Sequence, residues 1–193
     1  QLAILDRLGI DEPVGVYGIS MGGMTAQEIA LRHPERVRSL VLGCTSPGTT
    51  LGTWTDPAVM GGLVDALKSG DGERAMRASW EINVSPAYAL GAAEYERFRT
   101  VTTAHRVSLR IITEQMSAIG RHDLAGRLGG IDVPTTIIHG TADRMLPYPN
   151  AEVLVREIPG ARLDTLEGVG HMFFWEEPER AVRAAVETAA RAD

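Results

Sequence analysis

The chain reads as an α/β protein, with a mostly parallel sheet, helices packed on it and a block of helices inserted between two strands. Three observations predict this. A β-type apolar run, Val14–Ile19, ends in the turn Gly18-Ile-Ser-Met-Gly-Gly23 and opens into helical periodicity over 24–32. The same strand-then-helix alternation returns over 133–192. Between the two blocks, 46–126 carries helical periodicity and no convincing strand.

Taken in order, residues 1–8 place Leu2, Leu5 and Leu8 at helical spacing and stop at Gly9, a natural residue just beyond a helix end. Val14–Ile19 is apolar on both faces apart from its glycines, which reads as a central parallel strand. The following helix ends before Pro34, and 37–42 is the next strand, so the crossover is expected to be right-handed. Pro, Gly and Thr cluster at 47–52, and helical stretches follow near 58–68, 73–83, 92–103 and 107–120. Those helices read either as a lid over a site or as a passive pad completing the core. Strand 133–139, helix 150–158, strand 161–166 and a closing helix over 178–192 complete the pattern, with Glu176, Glu177 and Glu179 supplying an acidic start suited to that helix's dipole. The expected division is a core of 1–45 plus 127–193 and a helical lid of 46–126.

Composition narrows the function classes. With 193 residues and 44% hydrophobic content the chain can bury one substantial core. Its 25 acids against 19 bases give a net charge of −6 without a basic cluster, which disfavours nucleic acid and anionic membrane surfaces as partners. Cys44 is the only cysteine, so neither an internal disulfide nor a cysteine-based zinc site is available, and a cytoplasmic location is the expectation. No apolar stretch is long enough to span a bilayer, and the chain opens on Gln rather than on a basic-then-apolar leader.

Gly-x-Ser-x-Gly between a strand and a helix has the form of a nucleophile elbow. Its turn is so sharp that the apical residue is strained and side chains two positions away would collide, which accounts for Gly18 and Gly22; Gly23 lets the helix approach the strand. Ser20 is thereby lifted out with its hydroxyl exposed, and the Met21 N–H at the helix start is a candidate oxyanion donor. The alternative is a glycine-rich turn whose serine caps a helix. Two other strands also end in candidate residues, Asp143 in Gly140-Thr-Ala-Asp143 and His171 in Glu167-Gly-Val-Gly-His171. Working residues of open α/β sheets sit at such C-terminal strand ends. The chain order is nucleophile, acid, base, and the 28 positions from Asp143 to His171 leave room for one helix and one strand. A turn carboxylate and a loop histidine are the structural readings of the same two residues.

On Gly18-Ile-Ser-Met-Gly-Gly23, His33-Pro-Glu-Arg-Val37, Pro134 before His139-Gly-Thr-Ala-Asp143, and Gly168-Val-Gly-His171, the chain resembles the α/β-hydrolase superfamily. It is most similar to the branch holding small-molecule esterases, the enol-lactonase of the 3-oxoadipate pathway and cofactor-free haloperoxidase-type hydrolases. The resemblance implies a Ser20 nucleophile, a His171 base and an Asp143 that orients it, acting on small carboxylic esters or lactones through an acyl-enzyme without a cofactor. A C–C bond hydrolase or perhydrolase with the same triad, and a catalytically silent truncated subunit serving as an interaction module, are the rival expectations. In such folds several strands precede the elbow, and a loop among them supplies the second oxyanion N–H. The sequence is therefore expected to be N-terminally truncated, with the free side of Val14–Ile19 covered by a second copy or by a complementing fragment.

Trp54, Met60, Leu146, Met172 and Phe173 are candidates for an apolar acyl pocket, the last three because they closely follow triad residues. Core packing is the other reading of each. His33, His105, His122 and His139 read as helix-end, surface or strand-end side chains, since no metal-ligand spacing links them. Gly18-x-x-x-Gly22-Gly23 matches neither a dinucleotide fingerprint nor a phosphate loop.

Overall fold

In the computed structural model, which describes residues 2–104 and 107–192, four strands form one parallel sheet. His105 lies outside the described residues. Helix α1 (Leu2–Arg7) ends at Gly9, whose φ of 68° is the left-handed geometry a helix stop requires. Strand β1 (Val14–Ile19) then leads through α2 (Met21–Arg32) to β2 (Val37–Gly43). The helical segment holds α3 (Pro57–Lys68), α4 (Gly72–Asn83), α5 (Ala92–Ala104) and α6 (Leu109–Ile119). The alternation resumes with β3 (Thr135–Gly140), α7 (Pro149–Glu157), β4 (Arg162–Leu166), a single turn α8 (Phe173–Glu176) and α9 (Pro178–Ala189).

The sheet order is β1-β2-β3-β4, the same as the chain order, so all four C-terminal strand ends lie along one edge. The two-residue period of β2 sorts its side chains to two faces. Leu40 and Leu42 pack with Ala26 and Ala30 of α2 and with Ala151 and Leu154 of α7. Val41 faces the other way, onto Ile138, Phe173, Ala181 and Ala184 beside α8 and α9. Apolar burial on both faces makes β2 and β3 the interior of the sheet.

Strand β1 has the apolar composition of an internal strand, and one of its two sides is paired here. Among the described residues it pairs with β2 alone, and Tyr17 is 38% exposed.

Within the helical segment, side-chain caps set the helix starts. Asp56 accepts from Ala58 N at 2.7 Å, and Asp71 from Glu73 N and Arg74 N at 3.0 Å. The segment has its own aromatic core, in which the fully buried Trp80 meets Tyr88, Tyr95, Phe98 and Trp175 with ring centroids 5.2–6.3 Å apart. Trp175 belongs to α8, so this aromatic core is anchored on the stretch that follows His171. Helix α6 contributes no such anchor; its Ile111, Ile112 and Met116 are all exposed. Leu124, Leu128 and Ile131 then return the chain to the core under α2 and α7. No helix among the described residues is long and apolar enough to cross a membrane.

Candidate active site

Ser20 joins β1 to α2 with φ 56° and ψ −124°, a conformation that costs of order 1–3 kcal/mol for a residue with a side chain. Its surroundings hold it there. Ser20 N donates to Gly43 O at 2.9 Å, the Ser20 carbonyl accepts from Thr45 Oγ1 at 2.7 Å, and the same carbonyl takes the Gly23 and Met24 N–H groups of the first turn. Met21 is the first helical residue, so its N–H has no intrahelical acceptor and points with the positive end of the helix.

The glycines around it divide unequally. A Cβ on Gly18 would stand 2.3 Å from Gly22 O and 2.8 Å from Ala26 Cβ, and one on Gly23 would stand 2.6–2.8 Å from three atoms of Thr45. A Cβ on Gly22 would meet nothing within 4 Å. The collision expected at Gly22 is therefore absent: the close approach falls on its carbonyl, which lies against Gly18. Gly23 makes room for Thr45, the residue that holds the Ser20 carbonyl, rather than for the strand itself.

Asp143 and His171, 28 positions apart, meet with His171 Nδ1 2.7 Å from Asp143 Oδ2. Each sits on a loop that the backbone pins. Asp143 Oδ1 accepts from Met145 N and Leu146 N at 2.8 and 2.9 Å, closing a tight loop after β3. Ala142 N donates to Val169 O at 2.9 Å and Thr141 N to Leu166 O at 3.0 Å, so the acid-bearing and base-bearing loops are laced together. Gly140 permits this, because a Cβ there would stand 2.1 Å from Val169 O. The stretch after His171 also reaches the end of β2. The ring of Phe173 lies where a Cβ on Gly43 would be, 2.8 Å away, and Gly43 O is the acceptor of Ser20 N.

Electrostatics follow from burial. Desolvation pushes the Asp143 carboxyl up, but hydrogen bonds and charge from His139 and His171 outweigh it and hold the group well below the usual carboxylate range. An ionised Asp143 accepts the Nδ1 proton of His171 and leaves the other ring nitrogen free to take a proton. Burial, followed by the nearby Asp143 charge, pushes the Cys44 thiol up, so Cys44 stays protonated beneath the acid. Cys44, His139 and Asp143 offer ligand atoms within 4.8 Å of one another, but both Asp143 oxygens and His139 Nε2 are already engaged by protein groups.

His139 is the residue the sequence reading missed. It is fully buried at the end of β3, with Nε2 2.8 Å from Leu146 O and 3.2 Å from Asp143 Oδ2. Its sequence signals were its place four residues before Asp143 and its position at the head of His139-Gly-Thr-Ala-Asp143. Of the pocket candidates, Phe173 is a core residue of the sheet face carrying α9, and Leu146 is buried with its backbone bonded to Asp143 and His139. Met172 packs partly buried on the Trp80 cluster, and Met60 is partly buried on α3. Trp54 is 38% exposed, on a segment tied to the acid loop by Thr55 Oγ1 donating to Met145 O and by Thr53 exchanging two hydrogen bonds with Asn150.

Comparison with known proteins gives a consistent picture. Residues 2–185 match the model of the Alpha/beta hydrolase family. The chain is 32% identical to polyketide synthase ThaQ of Burkholderia thailandensis over 97% of its own length and 9% of that protein's. It is 30% identical to the pimeloyl-[acyl-carrier protein] methyl ester esterase of Aromatoleum aromaticum, over 85% of this chain and 69% of the esterase. Among solved structures, an esterase (EaEST) from Exiguobacterium antarcticum superposes with a TM-score of 0.78 at 25% identity, covering 97% of this chain and 70% of the other. The chain thus spans between 9% and 69% of the length of these curated relatives.

Proposed function

Since the chain belongs to the alpha/beta hydrolase family, we propose that it is a serine hydrolase of small carboxylic esters or lactones working through an acyl-enzyme. The observation that carries the reading is the 2.7 Å contact between His171 Nδ1 and Asp143 Oδ2, at the sheet edge where the strand end before Ser20 also lies and where Ser20 stands in left-handed geometry. Ser20 is the nucleophile, His171 the base, Asp143 the residue that orients it, and the Met21 N–H an oxyanion donor.

Ser20 Oγ attacks the ester carbonyl carbon as His171 Nε2 takes its proton, and the carbonyl oxygen becomes an oxyanion facing the Met21 N–H. Collapse breaks the bond to the alkoxy group, which leaves with the proton from His171 and gives a Ser20 ester. Water then gives a proton to His171 and its oxygen to the acyl carbon, releasing the acid and restoring Ser20. The ionised Asp143 stabilises the imidazolium formed in each half. The helical segment serves as the lid, and its selectivity resides in residues around Trp54 and Met60.

Labelling with a fluorophosphonate followed by peptide mass analysis, together with turnover of p-nitrophenyl acetate, tests the proposal. Modification of Ser20 and ester turnover lost in Ser20→Ala support it. Turnover of a vinylogous 1,5-diketone with no ester turnover would favour a C–C hydrolase with the same triad. Absence of labelling and of any turnover would favour the silent-subunit reading.

A further inference from the structure

Glu176 is not the helix-dipole residue its sequence position suggests. It ends α8, one turn past His171, and its carboxylate bridges two chain segments. Oε1 accepts from Gly170 N at 2.9 Å and from Ser85 N at 2.9 Å, while Oε2 accepts from Ser85 Oγ. Gly170 is the residue before the base, and Ser85 is two residues beyond the end of α4. Around this bridge the backbones themselves are in contact. Met172 N donates to Asn83 O at 2.7 Å, and a Cβ on Gly170 would stand 2.4 Å from Val84 C and 2.5 Å from Ser85 N. The residues on either side of His171 are therefore fastened to the root of the helical segment, one through Glu176 and one directly.

We infer that Glu176 is a positioning residue that locks the His171 loop to the 83–85 segment, so that the lid and the base are placed as one unit. This deepens the proposed function and rests on it. Gly170 and Ser85 are both buried, so without the carboxylate two backbone N–H groups lose their acceptor in a site that water does not readily fill. The base loop can relieve that only by shifting, and a displacement of about 1 Å at a catalytic group can cost about 100-fold in rate. Among the described residues, the groups facing the loop from the elements packed on it are Asp143 and His139 behind β3, Cys44 after β2, Tyr88 and Arg97 of the helical segment against Trp175, and Glu176 itself. Of these, Glu176 is the one whose carboxylate joins the Gly170 backbone to the helical segment.

Three variants test the assignment: Glu176→Ala, Glu176→Gln and Ser85→Ala, each read by p-nitrophenyl acetate kinetics and by the downfield proton resonance of the His171–Asp143 hydrogen bond. Glu176→Ala is expected to lower kcat about 10- to 100-fold with KM changed less than about twofold, and to move or broaden the bridging resonance. Glu176→Gln keeps an acceptor oxygen for both N–H groups and is expected to stay within about threefold of the parent with the resonance in place. Ser85→Ala, which keeps its own N–H bond, is the variant to use if Glu176→Ala does not fold, and is expected to perturb the same resonance to a smaller degree. An unmoved resonance in folded Glu176→Ala, or in Ser85→Ala if the former does not fold, overturns the inference. So does a Glu176→Gln protein as damaged as Glu176→Ala. Because the resonance is read without turnover, it separates this inference from the serine-hydrolase reading, which fails if Ser20→Ala keeps full activity.

Discussion

His139 Nε2 stands 3.2 Å from Asp143 Oδ2, the same oxygen that His171 Nδ1 approaches to 2.7 Å, so one buried carboxylate oxygen faces two imidazoles. The two rings are not equivalent. The Leu146 carbonyl, 2.8 Å from His139 Nε2, can only accept, which fixes the hydrogen on that nitrogen and leaves His139 Nδ1 buried without a partner. His139 thus ties the strand end to the loop that presents the acid. Replacing it by phenylalanine keeps the ring volume but orphans the Leu146 carbonyl. His139→Phe is expected to lose about 1–3 kcal/mol of stability in urea unfolding and about tenfold in ester turnover. A variant matching the parent in both would mean that the Met145 and Leu146 N–H groups suffice to hold Asp143.

The proposed roles separate by mutation. Ser20→Ala and His171→Ala are expected to retain the fold by circular dichroism and to lose ester hydrolysis by several orders of magnitude. Asp143→Asn is expected to lose about 10⁴-fold, because an amide that donates to Nδ1 stabilises the wrong tautomer of the base. Steady-state kinetics on the three purified variants check this, and parent-like turnover in Ser20→Ala would end the serine reading.

A pH dependence of stability follows from the buried acid. Asp143 acts on stability. Its folded-state pKa is depressed below the ordinary 3.8, so its contribution is fully present above that value and drains away as pH falls toward the folded value. Chemical unfolding of the parent and of Asp143→Asn at descending pH is expected to show a shallower acid loss in the variant. Parallel acid profiles would show that Asp143 is not a source of acid lability.

Much of the candidate site was legible in the sequence because its pattern is local. Ser20, Asp143 and His171 each follow an apolar run and a glycine, and a strand end needs no tertiary information to be recognised. The parallel sheet and the boundaries of α3 and α4 were legible for the same reason, since Asp56 and Asp71 cap the residues just after them. What stayed hidden is what depends on meetings across the chain. Thr45 holding the Ser20 carbonyl and Glu176 against Ser85 carry no local signal. Glu176 was actively misleading, because an acid shortly before Pro178 fits a helix start as well as it fits a clamp. Phe173 stayed open between pocket and core for a related reason: following His171 in sequence does not decide which side of α8 faces the sheet, and Gly43 opens the slot that takes its ring.

The elbow glycines supply a test in which motif and geometry disagree. Read as a motif, Gly18 and Gly22 are equally required. In the structure a Cβ on Gly18 would press into the Gly22 carbonyl and Ala26, whereas one on Gly22 would enter open space on an ordinary helical turn. Alanine has a higher helix propensity than glycine by about 1 kcal/mol and restricts the unfolded chain more. Gly22→Ala is therefore expected to leave stability unchanged or raise it by up to about 1 kcal/mol. Gly18→Ala is expected to cost about 1–3 kcal/mol, the range for forcing an extra methyl into packed surroundings. Gly23→Ala is expected to cost a similar amount and to reduce ester turnover as well, since the atoms it displaces belong to Thr45, and Thr45 Oγ1 holds the Ser20 carbonyl at 2.7 Å. Thermal and urea unfolding of the three variants, with turnover measured on each, gives the ordering. A Gly22→Ala protein destabilised as much as Gly18→Ala would show that the turn rejects side chains on both sides, and that the open space beside Gly22 is not available to a methyl group.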